Sequence, residues 1–466
     1  MMKRYVIYGL VGGLFLLWNS CKHQEKNEIV SSEVIEESIK EPTIVEQITV
    51  DSVWAANGVA FDLQTFGNQQ YVAYFDKNRM MTVASRQINS NHWIKKTLPN
   101  QLIWDSHNYV SLGIDEMGYI HVSGNMHVDP LAYFKSEKPW DVTTMVELNT
   151  MVGDDETRVT YPKFFNDKSG RLLFSYRSGS CGNGNILINH FSPKNQRWER
   201  YLNKPLFEGV EKDDDRAAYH KWVKDSKGNF HFVWMWRWTP DVETSHNIGY
   251  AKTPDLKNWV NGVGQIVNLP FKPEDEAVMV DATPSKGGLH NSRYKLFLTP
   301  QDEPIIGYTK YDEQGLTQLY LAKLVEGKWI SKQISKWNFR WKFIDGGAFM
   351  TIGGTFDFVG ISNDNILAID WETEKGESGR YMVDLETLEP TGGTAEIQLK
   401  YPKDLEKSLT NREGMLVRIA YEKRNPANNN SRYVLKWEAK HGGFRQHAPK
   451  VIPEGPISEL ILLKIQ

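Results

Sequence analysis

Cysteine is nearly missing from this chain: Cys21 and Cys181 are the only two in 466 residues. A disulfide-stapled scaffold is therefore excluded. Basic charge is not in excess either, with 55 Lys and Arg against 58 Asp and Glu. No electrostatic footprint for nucleic acid exists, and none is expected as a partner. Glycine and proline, 36 and 20 residues, are near average usage and exclude collagen-like and low-complexity chains. The apolar run Tyr5–Trp18 has 14 residues, short of the roughly 20 that a spanning helix needs. What is abundant is aromatic: 16 Trp, 20 Tyr and 20 Phe. Such a chain buries a large core, so disorder is excluded for its bulk.

Lys3 and Arg4 precede the apolar run, which ends at Asn19-Ser20-Cys21. A small residue before the first cysteine resembles the bacterial lipoprotein signal, in which that cysteine is lipidated and becomes the first residue. An ordinary secretory signal or an N-terminal anchor is the alternative, and each exports the protein. The expectation is a signal over 1–21, lipidation at Cys21 and attachment to the outer membrane, on the cell surface or the periplasmic face. Residues 22–50 hold Glu, Ser, Lys and Ile/Val but no Gly, Phe, Tyr or Trp, the composition of a solvated tether. Residues 51–466 form the folded body, expected to be monomeric.

In that body, short apolar runs are broken by turn residues. Tyr71–Phe75, Tyr119–Ser123, Leu172–Tyr176, Phe230–Trp236 and Ile305–Tyr308 read as strands. No long stretch carries a 3.6-residue stripe, so the fold class is all-β. Three strands follow an Asp-x-x-Gly turn, at Asp115–Gly118, Asp167–Gly170 and Asp225–Gly228, with Gly where positive φ is required. Trp93, Trp198, Trp259 and Trp329 each close a polar turn. Spacings of 50–70 residues with several strands per unit indicate propeller blades. Seven blades give about 59 residues each over 51–466; six or eight blades, or a β-sandwich, are the alternatives. After Asp384 the repeat fades, through the polar loop Asn425–Ser431 to a closing strand near Leu460–Ile465.

Polar residues recur at equivalent places in three consecutive units: His107 with His127, Tyr161 with Arg177, and Tyr219-His220 with Arg237. In a hairpin the start of one strand lies beside the end of the next, so each pair should meet at one end of its blade. The set supplies proton exchange by His, a phenol, and guanidinium groups that bind carboxylate. No Asp or Glu pair shares the frame, which argues against a standard glycoside hydrolase. His121, His231, His246 and His290 read as structural. Zinc at Cys181, His190, His220 and His246 lacks ligand spacing, and Asp213–Asp215 reads as a solvated loop with calcium as the alternative. No cofactor is required, and a structural calcium or zinc stays open. Trp234, Trp236 and Trp238 are candidates for a sugar-stacking platform beside Arg237.

The stretches Trp104-Asp-Ser-His107, Gly118-Tyr-Ile-His-Val-Ser-Gly-Asn-Met-His127, Thr160-Tyr161-Pro-Lys and Phe174-Ser-Tyr-Arg177-Ser-Gly-Ser, with Gln318-Leu-Tyr, resemble the BNR-repeat propeller family that includes ulvan lyases and L-rhamnose-α-1,4-D-glucuronate lyases. The resemblance implies a seven-bladed propeller that cleaves an L-rhamnose–uronate linkage by β-elimination, leaving a 4,5-unsaturated uronate. It implies His107, His127, Tyr161 and Arg177 as the catalytic group and an anionic uronate polysaccharide as partner. Arg237 and Arg340 look like further substrate-binding arginines, with Tyr219, His220 and Gln318 as additional binding candidates. A propeller rhamnosidase and a non-catalytic surface glycan-binding lipoprotein are the alternatives.

Overall fold

The turns that punctuate the sequence are closed by aspartate side chains. In the computed structural model, which describes residues 41–209, 215–343, 354–373, 375–424 and 431–466, Asp115 Oδ1 accepts the N–H groups of Met117 and Tyr119. Asp167 and Asp225 do the same in their turns. The glycine of each turn takes positive φ: +87° at Gly118, +91° at Gly170 and +77° at Gly228. Gly there is required, because a side chain would clash in that region.

The described strands form six sheets, one of which holds two successive units, so that seven antiparallel units of four strands are traced, with a few short strands added at their edges. Blade 1 runs Asp62–Phe66, Gln69–Phe75, Met80–Gln87 and Ile94–Gln101. Blade 2 runs Val110–Ile114, Ile120–Gly124, Tyr133–Ser136 and Met145–Leu148. Blade 3 is Val159–Asn166, Leu172–Ser180, Asn183–Ser192 and Arg197–Arg200, and blade 4 is Ala217–Lys224, Phe230–Arg237, Ser245–Thr253 and Trp259–Val260. Blades 3 and 4 are joined by one parallel bridge, Gly184 to Ala217. Blade 5 covers Tyr294–Leu298 to Lys328–Gln333 and blade 6 Thr355–Ile361 to Glu389–Thr391. The fold is a seven-bladed β-propeller, all-β as its sequence pattern predicts.

Blade 7 departs from the sequence reading. It combines Met415–Tyr421, Arg432–Lys440 and Ile457–Ile465 with an outer strand, Ile44–Trp54, from the opposite end of the chain. Ile44 pairs with Ile465 and Trp54 with Ile457. Residues 44–50 are thus sheet rather than tether, because Ile48 and Val50 alternate into the core. The closing strand expected near Leu460–Ile465 is present. The Asn425–Ser431 loop, save Ser431, lies outside the described residues, as do residues 1–40 with Cys21.

Packing between blades is apolar. Trp198 and Trp259 sit on the fourth strands of blades 3 and 4 and are 5% and 2% exposed. Burying a Trp removes roughly 200 Å² from water, worth several kcal/mol. His121 and His231 are structural, as expected. His121 Nδ1 bonds Tyr133 Oη at 2.7 Å and its Nε2 lies 3.3 Å from Asp115. His231 repeats this with Tyr250 and Asp225 at the same two distances.

Candidate active site

The hairpin argument holds for the backbone. Thr160 pairs with Arg177 and Ala217 with Arg237, so inner strands begin where second strands end. His107 lies just before the inner strand of blade 2. His127 begins a short strand, His127–Asp129, that pairs with Thr160 of blade 3. Three successive blades thereby deliver their polar residues to one cleft of about 900 Å³, walled by His107, His127, Tyr161, Tyr219, Arg237 and Phe444 among others.

Tyr161 owes its position to Pro162. Proline cannot donate to the ladder, and the register slips between Thr160 and Lys163. Tyr161 takes φ +57° in the bulge, and nearby Val128 takes +68°. Left-handed backbone at such residues costs of order 1–3 kcal/mol each and is held by surrounding contacts. One such contact is the Val128 N–H, which donates to Thr160 Oγ1 at 2.9 Å.

The two imidazoles stack with centroids 4.2 Å apart. Both are held by Asp105, which sequence reasoning passed over. His107 Nδ1 lies 2.7 Å from Asp105 Oδ1 and His127 Nδ1 lies 2.8 Å from Oδ2. Donation from both Nδ1–H groups fixes the tautomer and leaves each Nε2 able to take or give a proton. Burial alone would raise the Asp105 pKa, but these hydrogen bonds outweigh it and hold the carboxyl well below its ordinary range. Asp105, His107 and His127 also place one potential ligand atom each within 4.8 Å, the one such group among the described residues.

Tyr161 lies 5.9 Å from the His107 ring and 6.2 Å from the His127 ring, centroid to centroid. Burial, and then the neighbouring Tyr219, push its phenol well above the usual tyrosine range, against the pull of Arg177 and Arg237. It is a proton donor at neutral pH. Arg177 lies beneath, its Cζ 5.0 Å from the Tyr161 centroid and 4.4 Å from that of Tyr219. Arg177 is only 1% exposed, and its Nη2 donates to the Ala218 carbonyl at 2.6 Å. Arg237 instead lines the cleft itself, donating from Nη1 to Tyr219 Oη at 3.2 Å.

The last blade completes the wall. Phe444 stacks on His107 at 5.2 Å. Arg445 holds Asp129 in a two-pronged ion pair of 2.6 and 3.1 Å, and Asp129 accepts the His127 N–H. This loop approaches closely because Gly442 and Gly443 lack side chains: a Cβ on Gly443 would lie 2.7 Å from Trp104 Nε1. No signal in the repeat pattern pointed to these residues.

A model of BNR repeat-containing family members matches residues 69–337, more than half of the chain. The chain belongs to the BNR repeat-containing family. Two solved structures share its fold. An ulvan lyase of polysaccharide lyase family 25 has 14% identity and a TM-score of 0.55, over 84% of this chain and 93% of its own. The polysaccharide lyase Uly1 has 14% identity and a TM-score of 0.56, over 91% and 99%. The family 25 lyase has also been solved bound to -[GlcA(1-4)Rha3S]-. No curated protein sequence matches significantly.

Other residues singled out in this BNR-repeat protein fall elsewhere. Gln318 is 2% exposed and spent on structure: it donates to Asp312 and the Trp337 carbonyl and accepts from Ser335 and the Trp337 N–H. Arg340 stacks 3.7 Å over the Tyr311 ring in a separate depression of about 660 Å³. His220 stacks on Phe207 and lies below the cleft; burial, with Lys163 and Arg177 nearby, pushes its pKa down to about 3. His290, read as structural, lines the cleft. Trp234 and Trp236 are core, each 1% exposed, whereas Trp238 is 41% exposed and stacks on His246. Of the four residues weighed against zinc spacing, His190 faces Glu199 and Cys181 lies on the cleft wall. Asp215 accepts from Asn183, while Asp213 and Asp214 lie outside the described residues.

Proposed function

We propose that this protein is a polysaccharide lyase that cleaves an L-rhamnose–uronate linkage, as in ulvan, by β-elimination. The observation that carries the reading is the stacked His107–His127 pair, fixed on Asp105 and facing a protonated Tyr161 in a cleft with an arginine on its wall. The C5 proton of a uronate is acidic only when its carboxylate is neutralised, because the anion formed delocalises into that group. Arg237, on the cleft wall, is the guanidinium placed to do this. Arg177 acts beneath it by holding the Tyr161 and Tyr219 rings.

His127 Nε2 takes the C5 proton, with Asp105 stabilising the imidazolium that forms. The C4–O4 bond breaks as the C4–C5 double bond forms, and Tyr161 protonates the departing oxygen. His107 orients or helps neutralise the carboxylate. Asp241 is the one carboxylate on the cleft wall among the described residues, which disfavours hydrolysis by a carboxylate pair.

The test is incubation of the purified protein with ulvan and with rhamnose-capped glucuronate oligosaccharides. Ultraviolet absorbance of a 4,5-unsaturated uronate supports the lyase. Free rhamnose with a saturated uronate would replace it with a hydrolase, and binding without turnover would leave a surface glycan-binding protein. We further propose that the chain is exported and lipid-anchored through Cys21. Cys21→Ser should then move the protein from the membrane to the soluble fraction.

A further inference from the structure

Below Tyr161 and Tyr219 the cleft leads into a chamber of about 370 Å³. Inner strands of blades 3 and 4 build its wall with one pattern at equivalent positions: Tyr161-Pro162-Lys163 and Tyr219-His220-Lys221. Lys163, Arg177, His220 and Lys221 all line the chamber, and no Asp or Glu among the described residues does. Neighbouring lysines are matched: Lys423 pairs with Asp62, and Lys295 with Asp357. Lys163 and Lys221 are not. The Lys163 ammonium lies 4.3 Å from the Trp222 ring centroid and makes no hydrogen bond to a described residue. Lys221 Nζ donates to the Tyr294 carbonyl at 2.7 Å and has no carboxylate partner. Arg177 Nε is buried and unpaired among the described residues.

A chamber lined by cations and by no described carboxylate favours the entry of an anion. Burial first, then Lys423 beside Lys163, and Lys295 with Arg293 beside Lys221, outweigh the opposing pull of Asp62 and Asp357 and push both ammonium groups down to about 8. The Lys163 side chain is nevertheless exposed at the chamber. Neutral His220 offers a donor or acceptor but no charge at physiological pH. A metal cation finds no carboxylate here, and a neutral ligand would leave both ammonium groups uncompensated.

We propose that this chamber is a small-oxyanion site, with Lys163 and Lys221 as its charged donors and Arg177 in its wall. The shared chemistry is a sulfate, phosphate or carboxylate group, supplied as a free ion or as a substituent of a glycan. The chamber shares His107, Tyr161 and Tyr219 with the cleft, and its test involves no turnover.

The experiment is calorimetric titration and thermal unfolding of the full chain with sodium sulfate, sodium phosphate and sodium glucuronate, each against sodium chloride at equal ionic strength. Saturable binding and a raised Tm with sulfate or phosphate identify a free-ion site; a response to glucuronate alone supports the chamber only where Lys163→Gln weakens it, and overturns the proposal where Lys163→Gln leaves it unchanged. Lys163→Gln with Lys221→Gln should weaken binding at least tenfold. Should the pair fail to fold, Lys163→Gln alone should weaken it and Lys163→Arg should retain it. Absence of saturable binding beyond chloride, or unchanged affinity in Lys163→Gln, overturns the proposal.

Discussion

Asp105 is the residue on which the site turns, and it is the least conspicuous in the sequence. A buried carboxylate that accepts from two imidazoles sets both tautomers at once. Asp105→Asn keeps the shape but loses the charge and one acceptor. Turnover should fall about 10²–10⁴-fold with little change in glycan affinity, measured by unsaturated-product kinetics and calorimetry. The same residue carries a pH signature. Its folded pKa is depressed, so its stabilisation is present above the unfolded value near 3.9 and is lost as pH falls below it. Stability of the wild type should drop on acidification below about pH 4 more steeply than that of Asp105→Asn, followed by urea unfolding across pH. Tyr161→Phe should fold normally and lose about 10²–10³-fold in rate if the phenol supplies the proton. His107, His127, Tyr161 and Arg177 were legible because they recur at one place in successive units. Asp105 was not, since a lone Asp before a turn usually caps that turn. Nor was the burial of Arg177 legible, because the rings of Tyr161 and Tyr219 that lie over it come from two neighbouring blades.

At the level of elements, the site is a product of hairpins. Asp-x-x-Gly turns and tryptophans made blades 2 to 4 readable, since each turn fixes the register of the hairpin after it. Blade 7 was unreadable for a physical reason: its four strands come from both ends of the chain, so no local period exists to detect. The loop after its second strand, Lys440 to Arg445, nonetheless forms part of the cleft. Ser106 N–H donates to the Gly443 carbonyl at 2.8 Å, and Asn57 brackets Gly443 from the other side. Gly443→Ala should push this loop off Trp104, shift Phe444 from His107 and lower kcat/KM at least tenfold. The expected cost in Tm is only a few degrees, since the loop is not core, and the pair of measurements checks it.

For the whole molecule, the ring is closed by hydrogen bonds between the first and last strands. Removing Ile44–Trp54 would bare Leu460 and Leu462, which are fully buried. That variant should unfold at least 10 °C lower, with limited proteolysis starting in blade 7; scanning calorimetry and fragment masses test this. A temporal consequence follows from the same strand. Thr49 meets Glu459 across 410 positions, so closure brings together segments that emerge at opposite ends of synthesis. Blades 1 to 6 can form from local hairpins, whereas the seventh must wait for the final residues. Until then the first strand is an unpaired edge, open to wrong partners. Slow or interrupted delivery of the C-terminus would therefore leave a nearly complete ring that exposes an adhesive edge, and the yield of folded protein should depend on how fast the last strand arrives.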